Sequence, residues 1–328
     1  MADCCYRECP FSLQHQNLRE SWAFSKEKME ILSFELSKKI DDENIAIMAA
    51  GSFGRYEAGI PSDLDFYILS MSDANNTDIM DIVSSCAIEL GISLPNQDGV
   101  FSKEIPFRNI LNNLGNQDES IPELAQRLLP LLESTPIYNY GLCDKITDDI
   151  LEKYMVLHND SPEKEALIML NDIMRFFRYI CANCQFKSLH DESKWALRNI
   201  KLRHSRVVMY AGLLFVILNS SKKEYRQEKK KYIKSMLKYT PLERVSMIME
   251  ENNHDSYIFL FLYDYFLETL NDEIKRSKLY NIEYAERNNH SLFGKLSRNS
   301  FILQELLANF VFGMRGIWSN KAMGYSLF

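Results

Sequence analysis

Two aspartates one residue apart, Asp63 and Asp65, open an apolar run, Phe66-Tyr67-Ile68-Leu69, and follow the pair Gly51-Ser52 after ten residues. Alternate side chains of a strand share a face, so the two carboxylates project together, roughly 6.6 Å apart at ~3.3 Å rise per residue. Leu64 and Phe66 then turn to the core. An anionic oxygen pair of this kind suits Mg²⁺ or Mn²⁺, which fill their other positions with water and substrate phosphate. Two such ions held together lower the pKa of an attacking hydroxyl and neutralise a departing pyrophosphate. Ahead of them, the apolar strand Ile45 to Ala50 runs into the Gly-Ser turn. Gly51 lets the backbone come close to a phosphate. A helix beginning near Ser52 would add N–H groups and a hydroxyl at the positive end of its dipole. Arg55 is a candidate for a charge-assisted phosphate contact. An Asp-x-Asp pair alone is often a turn or a cap; the order and spacing of these residues are what point to chemistry.

A second constellation lies further on. Lys194, Arg198, Lys201 and Ser205 follow i, i+4, i+7, i+11, which on a helix is one face. Asp172, Arg175 and Tyr179 share a face of the preceding helix by the same arithmetic. Two such helices predict polar stripes turned to a shared cleft, with a polyphosphate as guest. A solvated basic surface is the competing reading. Against it, the apolar run Val207 to Leu218 continues the element, so the helix should be largely buried and its cations in need of partners. His204 is a candidate phosphate contact or, in the plainer reading, a packing residue.

The segment from Gly51 through Asp65 resembles the signature of the DNA polymerase β-like nucleotidyltransferase superfamily. The pattern Asp172, Arg175-Phe176, Arg178, Lys187, Lys194-Trp195, Arg198-Asn199, Lys201-Leu202-Arg203 and Ser205-Arg206 is similar to the helical half of bacterial nucleotidyltransferases near the PII uridylyltransferase and glutamine synthetase adenylyltransferase group. Gly99-Val100-Phe101, Gly115, Asp118 and Arg127 to Ser134 share that likeness, which spans about residues 45 to 218. The resemblance implies metal-dependent transfer of a nucleoside monophosphate from an NTP to a hydroxyl. Asp63 and Asp65 would bind metal, Gly51, Ser52 and Arg55 the phosphates, and Arg175, Lys194, Arg198, Lys201 and Ser205 the nucleotide. A third carboxylate is expected, either Asp98 or Glu104. Glu133 is read as structural, paired with Arg127 or another cation. A protein side chain is the favoured acceptor, as in relatives that modify regulatory proteins; an RNA 3′ end, as in nucleotidyltransferase toxins, is the alternative. Two further readings are a nucleotide-binding module without turnover, and an interaction protein with an exposed apolar patch around Tyr257 to Phe266.

Composition bounds these readings. The 328 residues, 46% hydrophobic and 25% charged, leave room for two domains. A net charge of −7 argues against broad, phosphate-driven nucleic-acid binding, and no DNA partner is expected. The basic run Lys222 to Lys231 reads first as a solvated face. Seven cysteines, including Cys181-x-x-Cys184, form no four-ligand zinc pattern and read as reduced thiols. The N-terminus lacks a signal-peptide pattern, and the longest apolar runs are too short for a membrane span. A cytoplasmic protein is expected, with a secreted effector left open.

The elements that must position the site follow from periodicity. Leu18 to Ile40 predicts a helix, followed by strands at 45–50 and 64–70, a helix near 77–91, a strand near 99–105 and a helix over Leu124 to Leu132. After the turn signal Asn159-Asp160-Ser161-Pro162 nearly everything has helical period. The expected class is α+β: an N-terminal helical segment (1–40), a nucleotidyltransferase domain (41–150) of small mixed β-sheet with helices on one side, and an all-α helical bundle (151–328) completing the nucleotide cleft.

Overall fold

Strand β1 (Ile45–Ala50), reading Ile-Ala-Ile-Met-Ala-Ala, is buried at every residue. It therefore has to be a middle strand covered on both faces. In the computed structural model, which describes residues 7–71, 77–95, 106–156, 165–190 and 192–327, it is flanked by β2 (Asp65–Ser70) and β3 (Thr135–Tyr138). Both pairings are antiparallel, and the β1–β2 register sets Ile45 opposite Ser70 and Ala50 opposite Asp65. The acid that opens β2 thus stands beside the last residue of β1.

One face of the sheet, with Ile45, Ile47, Ala49, Phe66 and Ile68, shares a core with Leu32 and Leu36 of α1 (Gln16–Lys39) and Phe53 of α2 (Gly51–Gly54). Val83, Cys86 and Ala87 of α3 (Thr77–Glu89) complete it. The other face is equally dry. Tyr67 is buried there, its phenol donating to Ser134 Oγ at 2.9 Å. Burial raises its pKa well above the usual tyrosine range, with the Cys143 thiol acting on it as well. Between α3 and that cysteine lie α4 (Phe107–Asn112) and α5 (Ile121–Leu132), which starts in a capping box of Ser120 with Glu123. Cys143 belongs to α6 (Tyr140–Val156), which packs against β1 and β3.

Two expectations change. Helices cover both faces of the sheet, because Ala46, Met48 and Ala50 are as apolar as Ile45, Ile47 and Ala49 and leave no face for water. Among the described residues the sheet is antiparallel rather than mixed; parallel pairing near it is confined to the single bridges Asp63 to Ser93 and Ser70 to Pro106. The expected strand at 99–105 lies outside the described residues. Strand β3 was not foreseen, being four residues long with a proline at its second position.

The chain divides into two compact units, one of Met1–Pro10 with Glu20–Asn159 and one of Phe11–Arg19 with Asp160–Phe328. The described residues of the second unit are helical: α7 (Glu165–His190), α8 (Trp195–Lys201), a π-helical turn (Leu202–Arg206), α9 (Val207–Ser220), α10 (Arg226–Met236), α11 (Pro241–Glu251), α12 (Tyr257–Asn271), α13 (Glu273–Tyr280), α14 (Ser291–Gly313) and α15 (Asn320–Leu327). Helix α9 is buried almost throughout and meets α11 so closely that a β-carbon on Gly212 would lie 2.8 Å from Pro241 backbone. No helix among the described residues is long and apolar enough to cross a membrane.

Candidate active site

The Gly-Ser turn and the second aspartate meet. Gly51 has φ +61°, and a β-carbon there would overlap Asp65 Oδ2 and stand 3.2 Å from its Cγ. The position therefore calls for glycine twice over, for its backbone angle and for the carboxylate lying against it. The turn itself is the four-residue helix α2, which follows β1 directly; Glu57 N–H donates to Ser52 O at 2.8 Å and closes it. Phe53 and Gly54 are buried, and Ser52 is half-buried.

Asp63 precedes β2 and is joined to Ser93 by a backbone bridge, in which Leu64 N–H donates to Ser93 O at 2.8 Å. Leu64 and Phe66 are 0% and 6% exposed, whereas Asp63 and Asp65 are half-buried, so the alternation expected of the two acids is present. The Asp63 carboxylate has no hydrogen-bond partner among the described residues. Among those residues no third His, Cys, Asp or Glu joins the pair into a larger ligand group. The candidates for that part, Asp98 and Glu104, lie outside the described residues, as does Gly99-Val100-Phe101. The donor set suits a hard divalent ion, being carboxylate oxygen beside a backbone with no side chain in the way.

Arg55 departs from its expected part. Its side chain is 5% exposed, with Nε donating to Glu57 Oε2 at 2.7 Å and Nη1 to Glu133 Oε2. The guanidinium is inside the first unit between two carboxylates, where it ties the turn to the end of α5 rather than reaching for phosphate. Glu133 does pair with a cation, but with Arg55; Arg127 is taken by Glu119, by the Tyr154 hydroxyl at 2.9 Å and by Ile110 O at 3.0 Å.

In the second unit the expected cation stripe is broken at both ends. Lys194 precedes α8 as its N-cap in the left-handed region, φ 67°, and its ammonium lies 5.1 Å from the centroid of the Tyr280 ring. At the other end the π-turn widens the helix, so the α-helical count that aligned Ser205 with Arg198 no longer holds. Ser205 is 4% exposed and its hydroxyl donates back to Lys201 O at 3.0 Å. Lys201 is half-buried. Arg175 is half-buried on α7, 3.6 Å from the buried carboxylate of Asp172.

A different set of cations acts together on one group. The Cys184 thiol is pushed up by burial and pulled down by Arg198, Arg206 and Lys187, so all three charges act on one thiol of α7. In an unbroken α-helix Arg206 would be rotated about 80° from Arg198; the π-turn over Leu202–Arg206 changes that angle. Sequence spacing could not reveal this group, because the π-turn leaves no periodic mark.

His204 is a packing residue. It is buried, stacked on Phe266 with centroids 4.4 Å apart, and its ring nitrogens lie 2.9 Å from Ile200 O and 2.9 Å from Asn299 Oδ1. Burial takes its pKa down to about 4, which keeps the ring neutral. On α12, Tyr257, Ile258 and Phe261 are exposed while Leu262, Tyr263 and Phe266 are buried, so an apolar patch does exist there. Set beside protein-family models and curated proteins, the chain matches none.

Proposed function

We propose that the protein is a divalent-metal-dependent nucleotidyltransferase, which moves a nucleoside monophosphate from an NTP to an acceptor hydroxyl and releases pyrophosphate. One observation carries the reading: the carboxylate of Asp65 lies against the side-chain-free backbone of Gly51, at the mouth of the Gly-Ser turn. Asp63 and Asp65 would hold Mg²⁺ or Mn²⁺, which when bound lowers the pKa of the attacking hydroxyl and offsets the charge of the leaving pyrophosphate. Ser52 and the Gly51 backbone bind and orient the phosphates. Arg55 keeps the turn in register by its buried pairing with Glu57 and Glu133.

The acceptor oxygen forms a bond to the α-phosphorus while the bond from that phosphorus to the bridging oxygen breaks in line. The reaction asks mainly for position and charge stabilisation, and no covalent nucleophile on the protein. The acceptor proton goes to the third carboxylate, which the resemblance assigns to Asp98 or Glu104. The sequence pattern assigns Arg175, Lys194, Arg198 and Lys201 to the triphosphate and residues 151–328 to a helical bundle. A protein hydroxyl is the favoured acceptor on the acidic balance of the chain, with an RNA 3′ hydroxyl as the alternative.

The test is incorporation of α-labelled ATP, CTP, GTP and UTP, each with Mg²⁺ or Mn²⁺, into cellular protein and RNA fractions by wild type and by Asp63→Ala/Asp65→Ala. Label that requires the aspartates supports the reading and names both base and acceptor class. Absence of aspartate-dependent label with every nucleotide and both metals would overturn it in favour of a binding module.

A further inference from the structure

The helical unit contains a cavity of about 530 Å³, within the usual range of small-ligand sites, bounded by the end of α7, the start of α8, the 3-10 turn Tyr284–Glu286 and the start of α14. Trp195 forms part of its wall, edge-on to Tyr284 at 4.8 Å between centroids and tilted against Phe293 at 5.1 Å. Arg203 of the π-turn and Arg287 also line it, together with Asn199 of α8.

Neither guanidinium has a carboxylate partner among the described residues. Arg203 Nη1 donates to Ser297 Oγ at 2.7 Å and Nη2 to Ser297 O at 3.4 Å. Burial alone pulls its pKa down. Arg287 Nη1 donates to Tyr284 O at 2.7 Å, and its Cζ lies 3.8 Å from the centroid of that ring. Among the described residues the lining has a single acid, Glu192, which is exposed. A partly desolvated cation held only by a hydroxyl and a carbonyl lacks its counter-charge.

We propose that this cavity is a metal-independent binding site for a nucleotide, whose base lies against Trp195, Tyr284 and Phe293 and whose phosphate is taken by Arg203 and Arg287. Aromatic faces accept any base by stacking. Planar guanidinium groups match phosphate oxygens in pairs. Asn199 supplies a donor and an acceptor for a base edge. Trp195, Asn199 and Arg203 fall within the helical pattern of the transferase resemblance but have no metal or triphosphate role in that reading, so the two fail separately: this site asks for neither metal nor Asp63 and Asp65.

Tryptophan fluorescence gives a direct readout. Trp22 and Trp318 are 4% and 2% exposed, so of the three tryptophans Trp195, half-buried in the cavity wall, is the one a ligand there would quench. The full chain is titrated with AMP, with inorganic phosphate and with a short RNA oligonucleotide in the presence of a chelator, alongside calorimetry. The expected result is saturable quenching by AMP, equal in wild type and Asp63→Ala/Asp65→Ala. Trp195→Phe should lose the fluorescence signal and weaken calorimetric AMP binding, and Arg203→Gln and Arg287→Gln should each weaken AMP about tenfold. If Arg203→Gln does not fold, Arg287→Gln carries the test. Absence of saturable AMP binding, affinity unchanged in both arginine variants, loss of binding in the aspartate variant, or phosphate binding as tightly as AMP would each overturn the proposal. RNA that displaces AMP and binds more tightly would replace it with a single-strand RNA site.

Discussion

The carboxylate of Asp65 occupies the space that a side chain on Gly51 would need. The pairing of Ala50 with Asp65 across β1 and β2 makes this contact possible, since the first residue after β1 then abuts the first residue of β2. A strand end, a turn and an acid fourteen positions apart in the chain become one surface (51 to 65).

Gly51→Ala is expected to move the Asp65 carboxylate and to destabilise the protein by about 2 kcal/mol, through steric overlap and the left-handed backbone angle. In Gly51→Ala/Asp65→Ala the overlap is gone and only the backbone cost remains. Urea unfolding of the singles and the double should therefore show non-additivity; strictly additive losses would mean that the two groups do not press on each other.

Arg55→Met should cost about 3 kcal/mol or more, because it removes the buried guanidinium that pairs with Glu57 and Glu133. Adding Glu57→Gln and Glu133→Gln should recover part of the loss. A variant as stable as wild type but weaker in nucleotide binding would instead return Arg55 to the phosphate role expected from its position.

The buried His204 makes stability depend on pH. Its folded pKa, about 4, lies below the ordinary 6.5, so the unfolded chain binds the proton more readily. The contribution is fully present above pH 6.5 and is lost as pH falls from there through about 4, to a total of about 3 kcal/mol. Chemical denaturation at intervals over this window, on wild type and His204→Phe, should show that loss only in wild type; parallel pH profiles would refute it.

Cys184 reports on the cations around it. Replacing Arg198 or Arg206 by Gln removes a charge that favours the thiolate, so the thiol pKa should rise further. Iodoacetamide labelling followed by mass spectrometry should then show slower Cys184 alkylation at a given pH. Unchanged labelling in both variants would mean that these charges do not act on the thiol.

Gly212→Ala should destabilise the helical unit by about 2 kcal/mol, since the added methyl meets the Pro241 backbone, which has no rotamer with which to yield. A melting temperature equal to that of wild type would show that α9 and α11 can move apart at no cost.

Local periodicity carried much of the first unit into view. Ile45 to Ala50 and Phe66 to Ser70 are strands, each a short apolar run, and the alternation that turns Leu64 and Phe66 inward turns Asp63 and Asp65 the other way. The lack of any polar residue in β1 already implied cover on both faces, a point the expectation of one-sided helices overlooked. The apolar run after Arg206 likewise announced a buried helix, and α8, the π-turn and α9 do run on without a break.

What sequence spacing left undecided depended on partners far along the chain. Arg55 reads as a phosphate ligand until Glu133, 78 residues away, is folded beside it, because desolvation drives a buried guanidinium to the nearest carboxylates. Lys194 and Ser205 fit an ideal α-helical face, but a left-handed residue before α8 and a π-turn after it alter the count, and neither is encoded in residue spacing. The amino-acid sequence by itself determined the elements and the chemistry available in each, since dihedral preference and hydrophobic period are local. Tertiary structure alone decided which charges are consumed in pairing and which face an open surface, because that choice is made by burial, and burial is a property of the folded chain.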